Sequence, residues 1–366
     1  MIKILYGVQG TGNGHISRSI SMARAFEDYS DLDVTWLYSG CPRDELLGVG
    51  DHYLWRRGMT FASKAGKINL LKTVTTNNLV QFLREVHDLD LSSFDLVISD
   101  YEPVIAWAAK SQGVPALGIG HQYAFMHDVP IKGGNPISKM LLRKFAPVSK
   151  GLGLHWHHFD QPVLPPIADL DGHACHSIVP KKIVVYLPFE DQQAIIQLLK
   201  QIPEADFYLY GPGLSYDDKL GHVHTRPISR SKFKHDLTTA EGVMCNAGFE
   251  LPSECLLMGT RILTKPLIGQ IEQISNAEAL KVLNYGSVLS RWTIGGIKEW
   301  LSYQDNVRVT YPAVHTRLAQ WIAAGQPESI AELAEQLWSE VKVERNVHRQ
   351  QIGVNTLSGL VDQRSN

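Results

Sequence analysis

Two side chains in the first third of the chain have the types and settings that proton transfer needs. His15 closes a glycine-rich run, Gly10-Thr11-Gly12-Asn13-Gly14-His15, and Asp100 closes a short apolar run, FDLVIS. Histidine titrates near neutrality, which suits it to take a proton from a hydroxyl or a water. A carboxylate on the far imidazole nitrogen would fix the tautomer and stabilise the imidazolium that forms. Two plainer roles stand beside this one: His15 bonding only its own loop, and Asp100 capping the helix that follows it. Glu102, two residues on, is a substitute partner for His15. The glycines let the backbone turn sharply and approach a ligand closely, and the helix start offers unpaired N–H groups. The spacing departs from the dinucleotide fingerprint GxGxxG. Ser39-Gly40 also stands where an acidic ribose ligand would close the second strand, so a nicotinamide dinucleotide is not expected.

The second constellation runs over residues 242–277, GVMCNAGFELPSECLLMGTRILTKPLIGQIEQISNA. A strand, a tight Asn246-Ala247-Gly248 turn and a helix make a cradle for a diphosphate at a helix N-terminus. Glu254, one to two turns into that helix, is placed to accept two hydrogen bonds from adjacent ribose hydroxyls. Gln270, Glu272, Gln273 and Asn276 follow on a loop, where amides beside carboxylates suit a polyhydroxyl ligand such as a hexose.

These residues need rigid elements behind them. Residues 1–8 read as a strand, 16–26 as a helix, 33–38 as a strand, 69–86 as a helix, 94–99 as a strand, 103–111 as a helix and 116–119 as a strand. Steady βαβ alternation of this kind predicts a parallel sheet covered on both faces. Prolines 162, 165, 166 and 180 punctuate a stretch without periodicity, read as a linker over 166–180. The alternation then starts afresh with strands at 182–187, 206–210, 242–245 and 261–264 and helices at 192–201, 251–258 and 274–282. Residues 328–345 read as one closing helix. The fold class expected is α/β, with two Rossmann-like doubly wound domains facing a central cleft: 1–165, then 181–325, then a helix and tail over 326–366. Ligands are expected where the strands of both sheets end.

The 248–277 block resembles the donor-binding signature of GT-B glycosyltransferases of the glucuronosyl and lipid-intermediate N-acetylglucosaminyl type. The matching positions are Gly248, Glu254, Gly259, Pro266, Glu272, Gln273 and Asn276-Ala277, and the first loop resembles that family's acceptor-side GxGH loop. The resemblance implies a nucleotide-sugar donor, a UDP-sugar first, as substrate with no cofactor and no metal, and an inverting transfer to an acceptor hydroxyl. It implies catalysis by His15 and Asp100, and donor binding by Asn246, Gly248, Phe249, Glu254, Glu272, Gln273 and Asn276. Gly12, Asn13, Gly14 and His121, with Gln122, would line the acceptor side. The base-binding loop would fall at 226–233, where Phe233 reads first as core and second as a platform for the base. Asn246, Glu250 and Arg261 depart from the family's pattern. Glu250, a carboxylate beside a diphosphate, is expected to point away, and Arg261, Lys265 or Arg230 would offset diphosphate charge. A nucleotide-sugar hydrolase with water as acceptor, and a non-catalytic nucleotide-sugar-binding protein, are the alternatives.

His155, His157 and His158 read as solvated loop histidines near the cleft rather than a metal site. Cys41, Cys175, Cys245 and Cys255 are too scattered for a disulfide framework or a zinc site. Across 366 residues, 35 Lys and Arg against 37 Asp and Glu leave a formal charge of −2, so nucleic acid is not an expected partner. No signal peptide and no membrane span are expected, which gives a cytoplasmic protein with room for peripheral contact at the membrane's inner face. The acceptor, whether envelope glycan, lipid or small molecule, is left open.

Overall fold

The computed structural model describes residues 1–43, 46, 49–50, 52–60, 63–64, 67–68, 78–134, 140, 142–170 and 177–346. Residues 171–176 of the linker, Cys175 among them, residues 69–77 of the expected helix and the tail from 347 lie outside the described residues.

The first half forms a six-stranded sheet. In chain order its elements are β1 (Ile2–Gln9), α1 (Asn13–Glu27), β2 (Leu32–Ser39), β3 (Leu54–Trp55), α2 (Leu79–His87), β6 (Leu96–Asp100), α3 (Pro103–Gln112), β7 (Ala116–Gly120), α4 (His121–Ala124) and β8 (Lys150–Gly153). Between β3 and α2 a short hairpin pairs β4 (Ser63–Lys64) with β5 (Lys67–Ile68). The spatial order β3-β2-β1-β6-β7-β8 is parallel throughout. Its central strands are mostly apolar and buried apart from their first residues, as a sheet covered on both faces requires. α3 starts on Pro103 after Glu102, whose carboxylate accepts from the N–H groups of Val104 and Ile105, and stops at Gly113 in the left-handed conformation. So Glu102, not Asp100, caps this helix.

The second half forms a seven-stranded sheet: β9 (Lys182–Tyr186), α5 (Gln192–Leu199), β10 (Asp206–Tyr210), β11 (Asp218–Leu220), β12 (Val223–Arg226), α6 (Arg230–Thr239), β13 (Gly242–Asn246), α7 (Glu250–Met258), β14 (Arg261–Lys265), α8 (Ile271–Val282) and β15 (Ser287–Val288). The order β11-β12-β10-β9-β13-β14-β15 is parallel except for the antiparallel edge strand β11. Helices α9 (Ile294–Ser302), α10 (Val314–Ala323) and α11 (Ile330–Ser339) and the antiparallel pair β16 (Val307–Thr310) and β17 (Lys342–Arg345) complete the chain.

The closing helix read over 328–345 is corrected: it ends at Ser339, and Lys342–Arg345 pairs with β16. Val341 and Val343 fit strand alternation as well as helical spacing, and the partner strand decides. Arg230 to Thr239, read as loop over 230–233 and assigned no element beyond, is a helix capped by Ser229. α10 packs against α1, and the Trp338 indole donates to the carbonyl of Val163, so the chain's last elements brace the first half. No helix among the described residues is long and apolar enough to cross a membrane.

Both sheets reverse strand order where their second halves begin, between β1 and β6 and between β9 and β13. At such a switch point the flanking loops diverge and leave a crevice at the strands' carboxyl ends. The register that sets Val8 beside Asp100 brings the glycine-rich loop and Asp100 to one such crevice. The register of Cys245 beside Tyr186 brings the Asn246-Ala247-Gly248 turn to the other.

Candidate active site

The two crevices open into one cleft, lined from the first half by Thr11 to Arg18, His121 and Gln122. Its other wall comes from Tyr186, Pro188, Phe189, Tyr210, residues 228–230, Phe233, Lys234, Asn246, residues 248–251, Glu254, Gln270, Glu272 and Gln273.

On the first wall, Nδ1 of His15 lies 2.7 Å from Oδ1 of Asp100. The carboxylate is fully buried, and the His15 side chain is 13% exposed. Arg18, three residues along α1 and therefore on the same helix face, forks onto Asp100 with Nε 2.8 Å from Oδ2 and Nη2 on Oδ1. Burial alone would raise the Asp100 carboxyl, but the Arg18 guanidinium and His15 outweigh it and hold the group below the ordinary carboxylate range. In the tautomer that carries its proton on Nδ1, Asp100 accepts that hydrogen bond and the Nε2 lone pair is left for the cleft. There its near neighbour is the amide of Gln122, at 3.4 Å. The site needs close backbone approach here: a Cβ on Gly120 would stand 3.3 Å from Asp100 Oδ1 and 3.4 Å from both Arg18 Nη2 and Gln122 Oε1.

On the second wall, Gly248 has open space where a Cβ would be, so the turn presents bare backbone to the cleft beside the start of α7. Glu254 is buried and paired with Lys234 of α6. Glu272 accepts from the Gln122 amide at 3.2 Å. Gln273 reaches the cleft, but its Oε1 accepts from the Leu267 N–H. Asn246 donates to Glu190 and to the carbonyl of Lys265, and its Oδ1 is buried without a partner among the described residues. Phe233 packs edge-on to Tyr210 and tilted on Tyr186, so it belongs to the core and to the cleft's aromatic end together.

Several residues sit elsewhere than the sequence reading set them. Asn276 is fully buried behind the wall, donating to the Ala247 carbonyl and meeting His121 Nε2 at 2.6 Å through Oδ1. It fixes the Asn246-Ala247-Gly248 turn rather than facing the cleft. His121 is a strut between the halves: Nδ1 contacts the Leu154 carbonyl at 2.8 Å, and the ring stacks on Phe249 at 3.9 Å and 4°. Burial lowers its pKa against the opposing pull of Glu272. His155 is not a solvated loop residue. It is fully buried, packed edge-on against His121, Trp156 and Phe159, and burial together with His121 and His157 pushes it well below the usual histidine range. Only His157 and His158 keep solvent contact. Arg261 and Lys265 are tied to Glu241 and Glu190. Among the described residues no cluster of three or more His, Cys, Asp or Glu could hold a metal ion.

Sequence reading passed over Arg18 and Lys234. For Arg18 the signal was present, an arginine three residues beyond a candidate base on an otherwise apolar face. For Lys234 there was none, because α6 was not expected.

A family model described as "Glycosyl transferase family 1" matches residues 2–302. No curated protein matches the chain by sequence. Among solved structures, the glycosyltransferase SsfS6 of Streptomyces sp. SF2575 is similar with a TM-score of 0.53 at 12% identity, over 92% of this chain and 100% of that one. It has also been solved complexed with thymidine diphosphate. The calicheamicin glycosyltransferase CalG4 gives 0.52 at 14% identity, over 92% and 98%. The spinosyn rhamnosyltransferase SpnG gives 0.53 at 12% identity, over 93% and 100%. At these identities the likeness is one of fold, and the fold is GT-B.

Proposed function

The chain belongs to glycosyl transferase family 1, a family of sugar-transferring enzymes, and from that premise we propose that it moves a sugar from a nucleotide-diphosphate donor, a UDP-sugar first, to an acceptor hydroxyl. The observation that carries this reading is the His15–Asp100 contact at 2.7 Å, facing the bare Gly248 turn across one cleft. His15 takes the acceptor's proton through Nε2 while Asp100 holds Nδ1. The acceptor oxygen bonds to the anomeric carbon as that carbon's bond to the diphosphate breaks, a single displacement that inverts the centre. The charge growing on the diphosphate meets the N–H groups at the start of α7, where a helix favours an anion. Tyr186, Tyr210 and Phe233 form the apolar end suited to a base. The acceptor lies on the His15 side, between the Gly12-Asn13-Gly14 loop and Gln122.

A thermal-shift screen of uridine, thymidine, guanosine, cytidine and adenosine diphosphates tests the donor reading, and stabilisation by none of them sinks it. Thymidine diphosphate belongs in the panel because SsfS6 has been solved with it. Release of nucleotide and free sugar at a catalytic rate without any acceptor would replace the transferase reading with the hydrolase one.

Gly248→Ala isolates the diphosphate cradle. A Cβ there meets nothing in the protein, so stability should change by no more than about 0.5 kcal/mol. The methyl group would occupy space next to the phosphates and weaken the nucleoside diphosphate about tenfold, the order of one lost hydrogen bond to a charged group. Unchanged affinity by calorimetry would remove the diphosphate from this turn.

A further inference from the structure

The place where the donor's diphosphate would lie already faces an anion. Glu250, the first residue of α7, does not point away from the cleft: its carboxylate crosses it to Nη1 of Arg18 on the other half. Its Cγ lies 2.8 Å from where a Cβ on Gly14 would be, so the side chain rests over the acceptor-side loop. The other cations lining the cleft are engaged elsewhere, Lys234 with Glu254 and Arg230 with the Ser17 hydroxyl. Arg18 therefore stands between two carboxylates, and a diphosphate arriving at the Gly248 turn would crowd further negative charge onto one guanidinium. The two carboxylates are not equal. Asp100 has no exposure, whereas the Glu250 side chain is 12% exposed and has solvent to turn into.

We propose that Glu250 is a resident stand-in for the donor's diphosphate, and that Arg18 is a catalytic residue which exchanges it for a phosphate oxygen when donor binds. This rests on the donor-site reading above. Nε and Nη2 stay on Asp100 while Nη1 passes from the carboxylate to the phosphate, a geometry the planar fork of arginine permits and a lysine does not. One guanidinium then serves both steps. It holds the carboxylate behind the base, and it neutralises the leaving group from the acceptor-side half.

The test is calorimetric titration of the five nucleoside diphosphates and the matching nucleosides into wild type, Glu250→Gln and Glu250→Asp. Removing the competing charge should tighten the diphosphate about tenfold, the order set by one hydrogen bond to a charged group, with the nucleoside unchanged. Glu250→Asp keeps the charge and should hold the wild-type ratio of diphosphate to nucleoside affinity. Glu250→Ser repeats the charge removal in a smaller side chain should the glutamine variant melt early. A wild type that binds diphosphates, with charge-removing variants whose ratio is unchanged or lower, overturns the exchange and leaves the donor site standing. A wild type that binds neither diphosphates nor nucleosides overturns both.

Discussion

A His15→Ala enzyme should lose about 10²- to 10⁴-fold in kcat, the range that a positioned general base contributes. The loss should fall on the chemical step. His15 lies on the first wall, and the candidate donor contacts other than Arg18, namely Gly248, Glu254 and the start of α7, lie on the second. Donor affinity should therefore stay within about twofold, less than a single lost hydrogen bond costs. Stability should hold too, because Asp100 keeps both bonds from Arg18 when the imidazole goes. Asp100→Asn provides the companion measurement. It preserves shape but withdraws the charge that orients Nδ1–H, so kcat should fall. Initial rates with saturating donor and acceptor, beside donor calorimetry, read both variants. A His15→Ala enzyme at full transferase rate would remove the base from the mechanism.

What the sequence made legible follows from how local each feature is. The strands that carry the site are short apolar runs closed by Gly, Pro, Asn or Asp, and neighbours alone define such runs. β1, β6, β7, β9, β10, β13 and β14 accordingly lie within a residue or two of their expected bounds. The glycine loop and the Asn246-Ala247-Gly248 turn are local as well, and because each follows a central strand, both halves of the cleft could be placed before any contact was known. The wiring across the cleft could not. Glu250 and Arg18 are 232 positions apart, and nothing near either one names the other. His155 fails for the same reason. Histidines interleaved with a tryptophan look wet, yet Phe249 and His121 arrive from distant segments to close over Trp156 and bury the first of them. α6 escaped notice because polar residues dominate its sequence, and tertiary packing gives it its face.

The largest stability effect is expected from Arg18→Met, which keeps much of the buried stem and removes the charge. It would leave Asp100 buried with only His15 and Glu250 without its cation, and taking one member from a buried ion pair costs about 3–5 kcal/mol. The pH dependence separates charge from packing. In the wild type the Asp100 carboxyl is depressed, so its contribution is present above the unfolded value of about 3.9 and is lost as pH falls through the folded value. In the variant, burial acts without the guanidinium and raises the carboxyl. The native state then carries a penalty at neutral pH that protonation relieves as pH falls through the raised value. Both effects have one sign, and above pH 4 the variant's acts alone: the gap in stability between wild type and variant should narrow from pH 7 toward pH 4 as the raised carboxyl protonates. Chemical denaturation across that range measures it, and a gap that stays constant would assign the loss to packing of the arginine stem. Arg18→Met combined with Asp100→Asn should recover part of the loss at pH 7, since the double variant holds one fewer unpaired buried charge. If the double variant is instead the sum of its parts, Arg18 and Asp100 do not act as one buried unit, and the arrangement that orients His15 must be sought elsewhere on the first wall.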